Sequence, residues 1–240
     1  MKNYPPVGEA EGKKQDVEQM FDAIAPRYDL LNRVLSMGID QWWRKRAVAM
    51  LKSENPRDIL DVATGTADLA LEALSLDPAH VVGIDISEEM LAYGREKISR
   101  RGEEHRVVLQ TADAENLPFE DASFDAAMVA FGVRNFENLL AGLQDIRRVL
   151  RPGGVLIVLE FSQPTVFPVK QAYQVYSRHV LPRIGRAVSQ NEGAYQYLPD
   201  SVAAFPSGED FLERMRTSGY ADLAWKPLTF GIASLYKGRK

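Results

Sequence analysis

The stretch from Ile59 to Ala70 constrains this chain more than any other. A short apolar run, Ile59-Leu60-Asp61-Val62, turns through Ala63-Thr64-Gly65-Thr66-Ala67 and continues as a helix-forming pattern. In an open α/β sheet, such a turn sits where a strand ends and a helix begins, and that edge is where ligands bind. Small residues let the backbone approach a ligand, and Gly65 tolerates a positive φ. The turn alone does not separate a ligand cradle from an ordinary strand-to-helix connection.

The sequence around it alternates in the way the turn requires. Strands are expected at 58–62, 81–85, 106–111, 124–131 and 155–160, with helices between them from Ala67, Ser87 and Leu139. Ser87 followed by Glu88 and Glu89 is a helix start, and Arg151-Pro152-Gly153-Gly154 ends the helix that began at Leu139. The run 124–131 is almost continuously apolar, as for a strand buried on both faces. Trp225–Thr229 and Ile232–Tyr236, joined through Gly231, read as a closing hairpin. The expectation is an α/β fold with a doubly wound, mostly parallel sheet.

Before the first strand, Val17, Met20, Phe21 and Ile24 fall on one helical face. Ala25-Pro26 breaks that helix, Tyr28–Leu35 restarts it, and a third helix runs from Trp43 towards Pro56. Such a prefix is placed either to cover a ligand site as a lid or to serve as a packing layer. Residues 1–15, with Pro5, Pro6, Gly8 and Gly12, read as a mobile tail. Residues 16–240 read as one domain: a helical cap at 16–56, a core at 57–163 and a closing segment at 164–240.

Several chemistries are disfavoured. The 240 residues contain no cysteine, and His80, His105 and His179 lie far apart, so no metal site is expected. A net charge of −4 gives no footprint for nucleic acid. No apolar run is long enough to span a bilayer, and the N-terminus lacks the apolar segment of a signal peptide. These features point to a cytoplasmic protein. The first turn has neither G-x-G-x-x-G nor G-x-x-x-x-G-K-[ST], so a pyrophosphate has no cradle. That weighs against nicotinamide, flavin and nucleoside triphosphate.

Asp85 ends the second strand, where a carboxylate suits two ribose hydroxyls. Asp113 ends the third, where its carboxylate and the Ala114 N–H match an adenine edge. A tight turn, a ribose acceptor and an adenine reader without a phosphate site is the profile of S-adenosylmethionine. Its sulfonium and amino-acid end would lie over the first turn, near Asp61 or Asp68.

Asp61-Val62-Ala63-Thr64-Gly65-Thr66-Ala67-Asp68 resembles the first motif of class I S-adenosylmethionine-dependent methyltransferases. Four further stretches resemble the UbiE/MenG quinone C-methyltransferases: Met20–Asp29, Ala112–Phe119, Phe131-Gly132-Val133-Arg134-Asn135, and Val149–Gly154 with Glu160-Phe161-Ser162. The first and third of these four are the more diagnostic. The resemblance implies a seven-stranded Rossmann-like sheet with an antiparallel C-terminal hairpin and a helical lid. It implies cofactor contacts at Thr66, Asp85, Asp113 and Ala114, with Ala130 where relatives often carry Ser or Gly. Asp61, Thr64, Gly65, Ile86 and Met90 complete the expected cofactor set. Ala63 and Ala67 stand where many relatives carry Gly.

The implied reaction is methylation of a ring carbon on a reduced polyprenyl quinone precursor. Demethylmenaquinol is the first expectation and the benzoquinol precursor of ubiquinone the alternative. Arg134 is then expected to stabilise a developing phenolate, Asn135 to orient the ring or a water, and Tyr28 to close over the cofactor. The apolar substrate tail implies contact with a membrane, for which residues 166–190 are the candidate docking element. The site of action would then be peripheral, at the inner face of the plasma membrane. A homodimer is compatible with the sequence.

Overall fold

The computed structural model describes residues 12–177 and 192–240. Seven strands form one sheet: β1 Asp58–Val62, β2 His80–Asp85, β3 Val107–Thr111, β4 Phe124–Ala130, β5 Leu150–Phe161, β6 Ala221–Leu228 and β7 Ala233–Arg239. Their order is β3-β2-β1-β4-β5-β7-β6. The first five are parallel, and β7 runs antiparallel to both β5 and β6. The seven-stranded α/β expectation therefore holds, hairpin included. The order reverses beside β1, so the C-terminal ends of β1, β2 and β4 border the crevice where such sheets bind ligands.

The helices are α1 Lys13–Ile24, α2 Tyr28–Leu35, α3 Ile39–Ala49, α4 Asp68–Ala73, α5 Glu88–Arg101, α6 Leu139–Val149, α7 Val169–Val175, α8 Glu192–Ala204 and α9 Glu209–Thr217. Strand alternation sends Ile59, Met128 and Ile157 to one side, against Trp43 and Ala47 of α3, Leu51 just beyond it, and Leu69 of α4. Leu60, Val129 and Val158 go to the other, against Leu143 and Ile146 of α6 and Phe211 of α9. Both faces are covered, which is why these strands read as apolar runs.

Several boundaries differ from expectation; the third helix spans Ile39–Ala49 rather than running from Trp43 towards Pro56. The first helix begins at Lys13, so residues 13–15, expected in the tail, form its first turn. Lys13 is buried, and its Nζ donates to the carbonyls of Arg134 and Phe136 at 2.9 and 2.8 Å. A charged residue in a polar run hides that tertiary anchor from any periodicity argument. Strand β5 starts at Leu150 rather than Val155, with a register shift opposite Phe124 and Ala126. The hairpin strands extend to Ala221 and Arg239, which pair with each other, and their polar ends hide that extent from an apolar pattern. Lys237 and Arg239 both pair with Glu54, at 2.8 and 3.0 Å. Residues 178–190 of the expected docking element lie outside the described residues.

The first turn is strained. Ala63 and Ala67 have φ of 53° and 65°, and Gly65 has φ of 55°. An L-residue in that region costs about 1–2 kcal/mol, so the two alanines sit where glycine would be easier. Gly132, beyond β4, packs against Ala63: a Cβ on it would lie 2.5 Å from the Ala63 Cβ. Gly132→Ala is expected to destabilise the protein by about 1–3 kcal/mol. Ala63→Gly is expected to stabilise it, and in that background most of the Gly132→Ala cost disappears. Denaturant melts of the two single variants and the double variant measure this coupling; additive effects would contradict it.

Candidate active site

Two adjoining cavities open at the C-terminal edge of the sheet. The first, about 660 Å³, is lined by Gly65, Asp85, Asp113 and Ala130 from the strand ends and by Lys14, Val17 and Tyr28 from the prefix. Ile86, Met90, Ala114 and Asn135 line it as well. The second, about 1080 Å³, is more apolar, and Trp43, Phe161, Tyr173, Tyr197 and Val202 line it beside Arg44 and Arg134. Phe21, Tyr28 and Phe131 line both. The prefix therefore lies over both cavities.

The first cavity is built around the turn. The Gly65 N–H donates to Asp85 Oδ2 at 2.8 Å, and the Ser87 N–H donates to Asp85 Oδ1 at 3.0 Å. The Asp85 carboxylate is thus fixed between β1 and β2. Burial raises its pKa, and the amides of Ser87, Gly65 and Ile86 oppose that rise. The Glu115 N–H donates to Asp113 Oδ1 at 3.0 Å, and Lys14 of α1 pairs with Asp113 Oδ2.

The remaining expected cofactor residues stand behind this surface. Asp61, 1% exposed, accepts from Thr64 Oγ1 at 2.6 Å through Oδ2. Its Oδ1 has no hydrogen-bond partner among the described residues. Burial pushes the carboxyl up to about 7. Thr66 Oγ1 donates to Asp29 Oδ1 at 2.6 Å and accepts from Lys97 at 2.9 Å, tying α2 to the turn. Asp68 is held by Lys97 at 2.6 Å, with Arg44 at 3.8 Å, so its charge is already compensated. Of the two carboxylates weighed near the first turn, Asp61 is the one without an ion pair among the described residues. It lines neither cavity, so a sulfonium or ammonium group over the turn would act on it through the field rather than by contact. With Asp85 and Asp113 beside it and no phosphate cradle, the residues fit S-adenosylmethionine.

The second cavity carries charge in an apolar wall. Arg134, from the 3-10 turn Val133–Asn135 after β4, donates to Glu160 Oε1 at 2.8 Å and to the Phe131 carbonyl. Glu160, at the end of β5, is fully buried, and burial raises its pKa against the opposing Arg134 charge. Arg134 Nε has no partner among the described residues. Tyr197 donates to Asn135 Oδ1 at 3.1 Å, and burial lifts its hydroxyl to about 12. Tyr28 is half-buried; burial raises its hydroxyl, with Arg44 and Arg134 acting the other way. Arg134, Asn135 and Tyr28 thus lie around one boundary between the cavities. Sequence reading passed over Glu160, Tyr197 and Arg44. The strand-end logic that marked Asp85 marks Glu160 equally, and Asp40 four residues before Arg44 signalled a helical ion pair.

The model of the ubiE/COQ5 methyltransferase family matches residues 9–240. The chain is 44% identical to the demethylmenaquinone methyltransferase of Bacteroides fragilis, covering 99% of this chain and 100% of that one. It is 48% identical to the ubiquinone/menaquinone biosynthesis C-methyltransferase UbiE of Citrifermentans bemidjiense, covering 95% of this chain and 97% of that one. Among solved structures, a SAM-dependent methyltransferase from Thermotoga maritima superposes with a TM-score of 0.65 at 21% identity, over 92% of this chain and 99% of that one.

The raised carboxyl of Asp61 sets a pH dependence. Its folded pKa of about 7 lies above the ordinary carboxylate value, so its contribution to stability is fully present below about 4 and is lost as pH rises through 7. Asp61→Asn is expected to flatten that part of the stability profile. A cation over the turn favours the ionised form, so calorimetry should show S-adenosylmethionine binding tightening between pH 6 and 8 in the native protein, and less in Asp61→Asn.

Proposed function

The chain belongs to the ubiE/COQ5 methyltransferase family, and from that premise we propose that it methylates a ring carbon of a reduced polyprenyl quinone precursor, demethylmenaquinol before all others. The meeting of the two cavities at Phe21, Tyr28 and Phe131 carries this reading. One cavity offers strand-end carboxylates suited to adenosine, and the other an aromatic, mostly apolar chamber with buried cations. The benzoquinol precursor of ubiquinone is the second acceptor, favoured by relatives named for both pathways.

S-adenosylmethionine, when bound, supplies an activated methyl on a sulfonium. Gly65, Asp85, Asp113 and Ala114 would hold its adenosine, and Asp61 would compensate the positive end. The protein's remaining task is alignment, which accounts for most of the acceleration in such transfers, and help in ionising a quinol hydroxyl. Arg134 is suited to the second task. Glu160 fixes the guanidinium in a low-dielectric wall, where it lowers the cost of a phenolate. A guanidinium has no acceptor site for a proton, so the hydroxyl proton, and the ring proton that the methyl group displaces, leave to water or to another group. Tyr197 and Asn135, bonded to each other, orient the ring from the side of α8. Tyr28 closes the boundary above the cofactor cavity.

The prenyl tail needs an exit. Leu30, Val34 and Met37 lie exposed on or next to α2, and Val175 on α7, the helices whose other residues line the second cavity. We read that apolar rim as the place where the tail emerges and the protein touches a membrane surface. Among the described residues, no helix is long and apolar enough to cross a membrane.

The direct test is transfer of labelled methyl to demethylmenaquinol and to the benzoquinol, both kept reduced. Transfer to neither would sink the proposal. Removing Arg134 alone strands a buried carboxylate at a cost of about 3–5 kcal/mol, so the informative variant is Arg134→Met with Glu160→Gln. It is expected to bind S-adenosylmethionine normally and to lose kcat by about a hundredfold or more. Near-normal turnover would remove Arg134 from the reaction.

A further inference from the structure

Two buried guanidinium groups, not one, face the acceptor cavity. Arg134 comes from the turn after β4 and Arg44 from α3, and their side chains are 7% and 8% exposed. Each has a carboxylate behind it: Glu160 for Arg134, and Asp40 one helical turn back for Arg44. Each also lies against one ring of a stacked pair. Arg44 Cζ is 5.8 Å from the Phe131 centroid and Arg134 Cζ is 5.4 Å from the Phe161 centroid. The two ring centroids are 4.4 Å apart, with the planes inclined by 29°. The cations therefore flank a stacked aromatic pair, and both act electrostatically on the Tyr28 hydroxyl.

Stability does not explain this arrangement. A buried ion pair gains little over well-packed apolar residues of similar volume, and a chamber for hydrocarbon alone needs no charge. Two cations along one aromatic wall suit a flat ring carrying oxygen at two opposite positions. A 1,4-hydroquinone has that shape. Arg134 sits on the segment that borders the cofactor cavity through Gly132 and Asn135, which puts it beside the hydroxyl next to the methylated carbon. Arg44 borders only the acceptor cavity.

Resting on the quinol reading above, we propose that Arg44 binds the second oxygen of the acceptor, para to the one Arg134 faces, and so selects 1,4-hydroquinones over monophenols. Asp40 holds the guanidinium in place, and the link from Arg44 to Asp68 ties this subsite to the start of α4, just after the first turn.

The test compares two acceptors with the same short prenyl group: the 3-prenyl-1,4-naphthoquinol and the 3-prenyl-1-naphthol, which lacks only the para hydroxyl. Each is assayed with the native protein and with Asp40→Asn/Arg44→Met, which removes both charges together. The electronic effect of the second hydroxyl on the ring cancels when the variant is compared with the native protein on the same acceptor. The variant is expected to lose about tenfold or more in kcat/KM on the quinol, chiefly through KM, since a charge-assisted hydrogen bond is lost. Its loss on the naphthol should be at least several-fold smaller. Equal losses on both acceptors, or no loss on either, would overturn the proposal.

Calorimetric affinity for S-adenosylmethionine and the melting temperature verify the fold of the variant. If the double variant does not fold, Arg44→Lys keeps the charge and the Asp40 partner, and it should show the same selectivity loss at several-fold size. Equilibrium binding of both naphthalenes to the protein with S-adenosylhomocysteine separates this inference from the broader one. A native protein that methylates neither acceptor contradicts the quinol reading. Loss of the native preference for the dihydroxy ring in the Arg44 variant would still support the subsite, and absence of any such preference would contradict it.

Discussion

The hydrogen bond from the Gly65 amide to Asp85 is the contact on which the site depends. It joins the first turn, at the end of β1, to the end of β2, and it fixes a carboxylate at the crevice edge. Holding that turn so close to β2 requires positive φ at Ala63, Gly65 and Ala67. The strain is local, and the apolar strands packed on both faces of the sheet hold it in place. Gly132 then meets Ala63 from β4, so the loop carrying Phe131, Arg134 and Asn135 is set by the same turn. A small backbone feature thus positions the walls of both cavities.

Charge is distributed unevenly between the two cavities. Around the first stand the carboxyl groups of Asp61, Asp85 and Asp113, the last paired with Lys14, with one oxygen of Asp61 without a hydrogen bond among the described residues. Around the second, Arg44 and Arg134 present positive groups against aromatic rings, each neutralised from behind. A cationic donor and an acceptor that must become anionic would each meet the opposite sign. The low dielectric of the apolar chamber strengthens that preference. The prefix helices complete the enclosure, bonded to the core through Thr66 with Asp29 and through Ser87 with Asp22.

The sheet and the hairpin were legible because alternation, length and turn residues all pointed the same way. Asp85, Asp113 and Gly65 were legible because strand ends in an open α/β sheet have a fixed meaning. Thr66 was read as a cofactor contact on resemblance, yet its hydroxyl is spent on Asp29 and Lys97. Nothing local marks that choice, since the partners lie far away in sequence. Lys13 and Lys14 were hidden in a polar run for the same reason. Arg44 stood out in no apolar pattern; only the packing of α3 beside Phe131 turns it into a cavity wall. Patterns within an element are written in the sequence, whereas contacts between distant charged residues emerge from the assembled fold.

On the proposed reading, an acceptor ring lies beside Phe131 and between Arg44 and Arg134, with the cofactor across the Tyr28 boundary. A crystal structure with S-adenosylhomocysteine and a short-chain demethylated naphthoquinone tests it most directly. The adenosine is expected on Asp85 and Asp113, with Lys14 released from Asp113, and the ring in the second cavity with its unsubstituted carbon facing the sulfur. A ring bound outside that cavity, or turned so that its prenylated edge faces the sulfur, would contradict it.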